Sequence, residues 1–216
     1  MLKGKRISIL GDSISTYKNV SNDINANSTI FGNPYFYCEP FPLEKTYWSL
    51  LVEKFGLTLC VNNSWSGGNL SGRNDFDSGI NRAKNLSRND GSKPDIIIVF
   101  IGINDLGRNV NYDVFAEDYC ETLMRIMLKY PSAYVCCVNM PDRDISFRER
   151  TEEFNRIIKS AVDYMGDGFF VADLFNSQLN NDDYYNNTLD GLHPDEDGMR
   201  MIAEVIAEAF EREIKY

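Results

Sequence analysis

The stretch Arg6-Ile7-Ser8-Ile9-Leu10-Gly11-Asp12-Ser13-Ile14-Ser15 decides the fold. Its first five residues read as a short buried strand, and the Gly-Asp-Ser run that follows breaks the apolar pattern at once. Ser13 therefore stands in the turn leaving the carboxyl end of a strand, where open α/β sheets keep their sites. Two roles suit a serine there: a helix N-cap, or an exposed hydroxyl on a tight turn that Gly11 permits.

Working outward, apolar runs of strand length recur at Leu57 to Val61, Ile96 to Ile101, Tyr134 to Val138 and Phe169 to Ala172. Helical patterns lie between and after them, at Glu44 to Lys54, Ser78 to Ser87, Tyr112 to Lys129, Phe147 to Tyr164 and Asp195 to Glu213. Phe115, Tyr119, Leu123, Ile126, Met127 and Tyr130 follow the stripe of a helix face packed on a sheet. Met199, Ile202, Ala203, Ile206, Ala209 and Phe210 repeat it in the last helix. Strands that are apolar throughout and alternate with helices predict a five-stranded parallel sheet covered on both faces, a three-layer α/β/α sandwich. Nothing suggests a linker or repeat, so residues 1–216 are expected to form one domain.

Composition narrows the function. The formal net charge of -10 argues against nucleic-acid and anionic-membrane partners, and favours neutral or cationic substrates. The five cysteines are odd in number, lack metal-ligand spacing and read as free thiols. No apolar run is long enough to span a bilayer, and the first strand follows the amino terminus directly, so a cytoplasmic location is expected. One segment breaks the rhythm. Lys18 to Leu43 is rich in Asn and Ser, then carries Phe31, Tyr35, Phe36, Tyr37 and Phe41, and reads either as a flap over the Ser13 turn or as a surface insertion.

Two more turns leave the same sheet edge. Asn62-Asn63-Ser64-Trp65-Ser66-Gly67-Gly68-Asn69 follows the second strand, and Gly102-Ile103-Asn104-Asp105 follows the third. A tetrahedral oxyanion needs several fixed donors aimed at one point, and Ser13 N–H, Gly67 N–H and the Asn104 amide could supply three. Each turn also has a structural reading: Gly67-Gly68 as a bend, Asn104-Asp105 as a helix cap. The chain's one histidine, His193, lies three residues after Asp190 in Asp190-Gly191-Leu192-His193-Pro194. It is the sole candidate imidazole base, and a carboxylate so close could hold one ring nitrogen while the other faces Ser13.

These residues resemble the SGNH hydrolases, also called the GDSL esterases and lipases. Four blocks carry the resemblance in the family's order: Gly11-Asp12-Ser13-Ile14, Asn62-x-x-x-Ser66-Gly67, Gly102-x-Asn104-Asp105, and Asp190-x-x-His193-Pro194 with Gly198-Met199 after it. The resemblance implies a flavodoxin-like SGNH hydrolase fold. It implies Ser13 as nucleophile, His193 as base and Asp190 as the acid that orients it. Ser13, Gly67 and Asn104 would form the oxyanion hole, and no metal or cofactor is needed. Two departures, Gly68 and the Lys18 to Leu43 segment, bear on substrate choice more than on chemistry. The G-x-S-x-G elbow of α/β-hydrolases is absent, since Ser15 stands where its last glycine would be. The expected activity is removal of a short acyl group, such as acetyl, from a carbohydrate or similar polar alcohol. A short-chain lipase, lysophospholipase or thioesterase, and a non-catalytic glycan-binding domain, remain the alternatives. Oligomeric state is open.

Overall fold

In a computed structural model, residues 2–20, 41–141, 146–177 and 186–215 are described. Five parallel strands form one sheet in the order β2-β1-β3-β4-β5. They are β1 (Arg6–Gly11), β2 (Thr58–Ser64), β3 (Ile96–Phe100), β4 (Tyr134–Val138) and β5 (Phe169–Ala172). The central β3 is buried along its whole length, as its Ile-Ile-Ile-Val-Phe sequence requires. The helices are α1 (Tyr47–Phe55), α2 (Gly79–Arg82), α3 (Ile103–Gly107), α4 (Tyr112–Lys129), α5 (Arg148–Met165) and α6 (Glu196–Glu213). From β1 the chain steps outward to β2, then back past β1 to β3 and on to β5. Right-handed crossovers through that reversal put α1 on one face and α2, α4 and α5 on the other. The packing agrees: α1 lies against α6, while α4 lies against both α2 and α5.

The expected five-stranded parallel sheet with helices is that observed, with local differences. The second helix stops at Arg82 instead of running to Ser87, because side chains take the backbone groups that would extend it. The Asn63 amide donates to the carbonyls of Arg82 and Asn85. The Tyr130 hydroxyl accepts from Leu86 N and donates to Lys84 O. Met127 was assigned to the core stripe of α4 but is 38% exposed, whereas Phe115, Tyr119, Leu123, Ile126 and Tyr130 are buried. Of the Lys18 to Leu43 segment, residues 21–40 lie outside the described residues, and with them Cys38, Phe31, Tyr35, Phe36 and Tyr37. Phe41 is buried in the main core and does not belong to a flap. Among the described residues Cys60, Cys120, Cys136 and Cys137 are free thiols, and no helix is long and apolar enough to cross a membrane.

Candidate active site

The sheet register sets the site. Gly11, the last residue of β1, pairs with Ser64 on one side and Phe100 on the other. The three chains therefore leave the sheet side by side, about 4.8 Å apart. Between β1 and β3 the strand order reverses, and the connections diverge to opposite faces, opening a crevice at the carboxyl edge. Ser13, Gly67 and Asn104 all stand at this edge.

Ser13 opens a single 3-10 turn, Ser13–Ser15. The cap of that turn is Asp12, whose carboxylate accepts from Ile14 N at 3.1 Å. The Ser13 hydroxyl is thus not spent on capping. It lies 2.9 Å from His193 Nε2, and His193 Nδ1 lies 2.7 Å from Asp190 Oδ2. The other carboxylate oxygen, Oδ1, accepts from His193 N at 2.8 Å and Leu192 N at 3.1 Å. Partial burial pushes the Asp190 carboxyl up, but the bonds from His193 and Leu192 outweigh it and hold the group below its ordinary value. An ionised carboxylate only accepts, so Nδ1 of the neutral imidazole carries the proton and Nε2 is left to accept from Ser13.

A side chain at Gly11 would be obstructed, as expected, and the obstruction comes from close neighbours with no left-handed backbone needed. A Cβ there would lie 2.6 Å from Ser15 Cβ, Ser15 Oγ and Ser64 Oγ. Ser15 cannot yield easily, since its hydroxyl is bonded to Tyr47 Oη at 2.7 Å and the residue is fully buried. Gly198, in the first turn of α6, is likewise required by close approach: a Cβ would sit 2.4 Å from Asn187 O. That contact seats the His193 turn against α6.

On the opposite rim Gly67 adopts φ +67, a left-handed conformation that glycine takes without strain. Asn104 is the second residue of α3, not its cap, and its amide donates to Gly68 O at 3.0 Å. One amide hydrogen remains for another acceptor. Gly68 is buried, and a Cβ on it would meet Trp65 O at 3.1 Å and Arg82 Nη2 at 3.2 Å. A side chain at this position is therefore tight, and Trp65 O and Arg82 would have to give by a few tenths of an ångström to admit one. Asn62 stays out of the site and holds the Ser13 turn from behind, its amide donating to Ser15 O at 2.8 Å.

Two buried groups fix these loops: Arg82, which the sequence did not single out, and Asp105, which it offered only as a helix cap. Arg82 is 3% exposed and donates to three carbonyls, Gly11 O, Asp77 O and Asn63 O. Asp105 is fully buried and accepts from Leu70 N at 2.7 Å and Ser71 N at 2.9 Å, tying the Gly67 loop to α3. Burial raises the Asp105 carboxyl, opposed by those same bonds. Burial also pushes the Asp12 carboxyl up to about 7, against the pull of Ile14 N–H and the Arg82 charge and helped by the negative charge of Asp105. A hydroxyl, an imidazole and a carboxylate in series, facing a glycine and an amide at the same strand edge, are the groups that acyl transfer through a serine requires. No cluster of potential metal ligands occurs among the described residues.

Comparison with known proteins agrees with this reading of the fold. The model of the GDSL-like lipase/acylhydrolase family matches residues 9–201, a span containing Ser13, Gly67, Asn104, Asp190 and His193. The chain belongs to that family. As a GDSL-type acylhydrolase it is a hydrolase of carboxylic esters. A protein from Bacteroides uniformis described as a GDSL-like lipase is similar over 96% of both chains, at 25% identity and a TM-score of 0.73. One from Bacteroides ovatus, also described as a GDSL-like lipase, is 23% identical with a TM-score of 0.72, over 97% of this chain and 99% of its own. A family 3 carbohydrate esterase from Clostridium thermocellum shares the fold at 18% identity and a TM-score of 0.63, over 95% of this chain and 94% of its own. No curated protein sequence matches this chain.

Proposed function

We propose that this acylhydrolase removes short acyl groups, of acetyl size, from a carbohydrate or similarly polar alcohol, through an acyl-enzyme on Ser13. The observation that carries the mechanism is the run of contacts from Ser13 Oγ to His193 Nε2, 2.9 Å, and from His193 Nδ1 to Asp190 Oδ2, 2.7 Å. Ser13 Oγ attacks the ester carbonyl carbon as its proton passes to His193 Nε2. The tetrahedral oxyanion is met by Ser13 N–H, Gly67 N–H and the free hydrogen of the Asn104 amide. Collapse expels the alkoxide, which leaves with the proton from His193 as the alcohol. Water then attacks the acyl-enzyme with His193 again as base, releasing the carboxylic acid and restoring Ser13. Asp190 stays ionised and holds the imidazole in the tautomer that accepts from Ser13.

Two observations support the substrate class. A polar pair borders Gly67, with Arg108 donating to Asn69 Oδ1 at 2.6 Å. Among proteins of the same fold is a family two carbohydrate esterase, likewise from Clostridium thermocellum, at 16% identity and a TM-score of 0.67, over 96% of this chain and 64% of its own. A fluorophosphonate probe tests the mechanism: it is expected to label the wild type and not Ser13→Ala. Folded wild type that resists labelling would instead favour a glycan-binding domain. A panel of 4-nitrophenyl esters tests the substrate, and rates climbing steadily from acetyl to octanoyl would sink the short-acyl reading.

A further inference from the structure

Arg108 is the arginine at this site whose donors are still open. It follows Asn104 by one helical turn, its N–H donating to Asn104 O at 2.9 Å, so both side chains leave the same side of α3. Nη1 donates to Asn69 Oδ1 at 2.6 Å, and Nη2 lies 3.5 Å from where a Cβ on Gly67 would sit. The guanidinium therefore borders both Gly67 and Asn104, the two residues assigned above to the oxyanion hole with Ser13. Its neighbours among the arginines are committed: Arg82 to three carbonyls, Arg150 to Leu106 O and Val110 O while stacked over Tyr112 and Phe154. Arg108 is exposed, and among the described residues it makes no ion pair and bonds no side chain but Asn69. A guanidinium carries five N–H donors in a planar fork that matches a carboxylate.

We propose that Arg108 selects esters bearing a carboxylate a few bonds from the scissile carbonyl, as in a sugar acid on the alcohol side or the monoester of a diacid on the acyl side. This rests on the serine esterase mechanism above; its alcohol-side form keeps the acetyl-sized acyl group, and its acyl-side form replaces that group with a diacid chain. It also departs from the expectation that a chain of net charge -10 favours neutral or cationic substrates. Charges dispersed over the surface are screened within about 8 Å at physiological salt, whereas a guanidinium in contact with the ligand acts directly.

The test pairs each anion with its neutral carboxamide: 4-acetoxybenzoate against 4-acetoxybenzamide for the alcohol side, and mono-4-nitrophenyl adipate against its carboxamide for the acyl side. The quantity read is the anion-to-amide ratio of kcat/KM, which cancels general damage to the site. Wild type is expected to prefer the anion in one pair by about tenfold, typical of a hydrogen bond to a charged group. Arg108→Gln should abolish that preference chiefly through KM, and Arg108→Lys should keep part of it. A ratio at or below one in both pairs, or one that Arg108→Gln leaves unchanged, overturns the proposal and leaves Arg108 as a clasp on Asn69. Calorimetric binding of 4-acetoxybenzoate and its amide to Ser13→Ala protein reads the same preference without turnover. Failure of the esterase reading thus gives anion-selective binding with no hydrolysis, and failure of this proposal gives hydrolysis with no selectivity.

Discussion

Replacing Asp190 by Asn changes one atom of the site, and the hydrogen bonds around it say which way the new amide must face. Oδ1 accepts from His193 N and Leu192 N, at 2.8 and 3.1 Å, while Oδ2 faces His193 Nδ1 at 2.7 Å. An asparagine NH2 turned toward the two backbone N–H groups would set donor against donor and leave both unmet, at about 1–3 kcal/mol each. The amide oxygen therefore stays there and the NH2 faces Nδ1. Nδ1 must then accept, the ring proton moves to Nε2, and the imidazole presents N–H to Ser13 where it should present a lone pair. Such a wrong-tautomer base is expected to lower kcat by about 10⁴-fold, roughly 5.5 kcal/mol of transition-state stabilisation. The assay is kcat/KM on 4-nitrophenyl acetate, read beside ¹⁵N shifts of the imidazole. With one histidine in the chain, only one pair of ring signals needs assignment. Activity within about tenfold of wild type, with the proton still on Nδ1, would refute the reasoning and remove Asp190 from the triad.

Two further outcomes follow from the same site. Asn104→Ala deletes one proposed oxyanion donor and should lower kcat by about 10²–10³-fold with KM little changed; a loss confined to KM would make Asn104 a loop tether through Gly68 O and nothing more. Asp12→Asn tests the raised carboxyl by its linkage to pH. Asp12 has a folded value of about 7 against 3.8 for the free group, so the folded state holds a proton the unfolded state has lost. Wild-type stability should therefore fall as pH rises through that window, by up to about 1.4 kcal/mol per pH unit. The variant lacks that slope, so its Tm should pull ahead of wild type up to about pH 7, at about 2–4 °C per kcal/mol, and parallel Tm curves would contradict it.

How much of this was legible depended on whether the signal was local. α4 begins and ends where its stripe predicts, since Asn111 accepts from Asp113 N and caps its start and every buried position lies on one face. α2 was misjudged because Tyr130 and Asn63, far off in sequence, compete for its last backbone groups. The same division runs through the site. That Ser13, Asp190 and His193 come together was readable because short motifs name them. Arg82 was not, because its acceptors are backbone carbonyls, one of them 71 residues away, and any residue carries a carbonyl. Asp105 was taken for a cap because its neighbours allow one. Its true partners, Leu70 N and Ser71 N, are equally anonymous in a sequence.

The two ends of the Ser13 to His193 contact are 180 residues apart and differ in how they are held. Ser13 rides on β1, a central strand paired on both sides and held at Gly11 O by Arg82, and its turn is bonded at Ser15 O by Asn62 and Trp48. His193 hangs on a turn closed by the Thr188–Pro194 bridge, the bond from Leu189 N to His193 O and the Asn187 contact with α6. Asp190, which orients the ring, keeps a half-exposed side chain. Local opening free energies range from near zero in turns of this kind up to the global value in core strands. The base side should therefore open first, separating His193 from Ser13 while the sheet remains intact. A site assembled this way depends for its geometry less on the depth of the core than on one tight turn, and Gly198 is where that turn meets α6. A side chain at Gly198 would push Asn187 away and act on catalysis through the position of His193, with β1 and the nucleophile untouched.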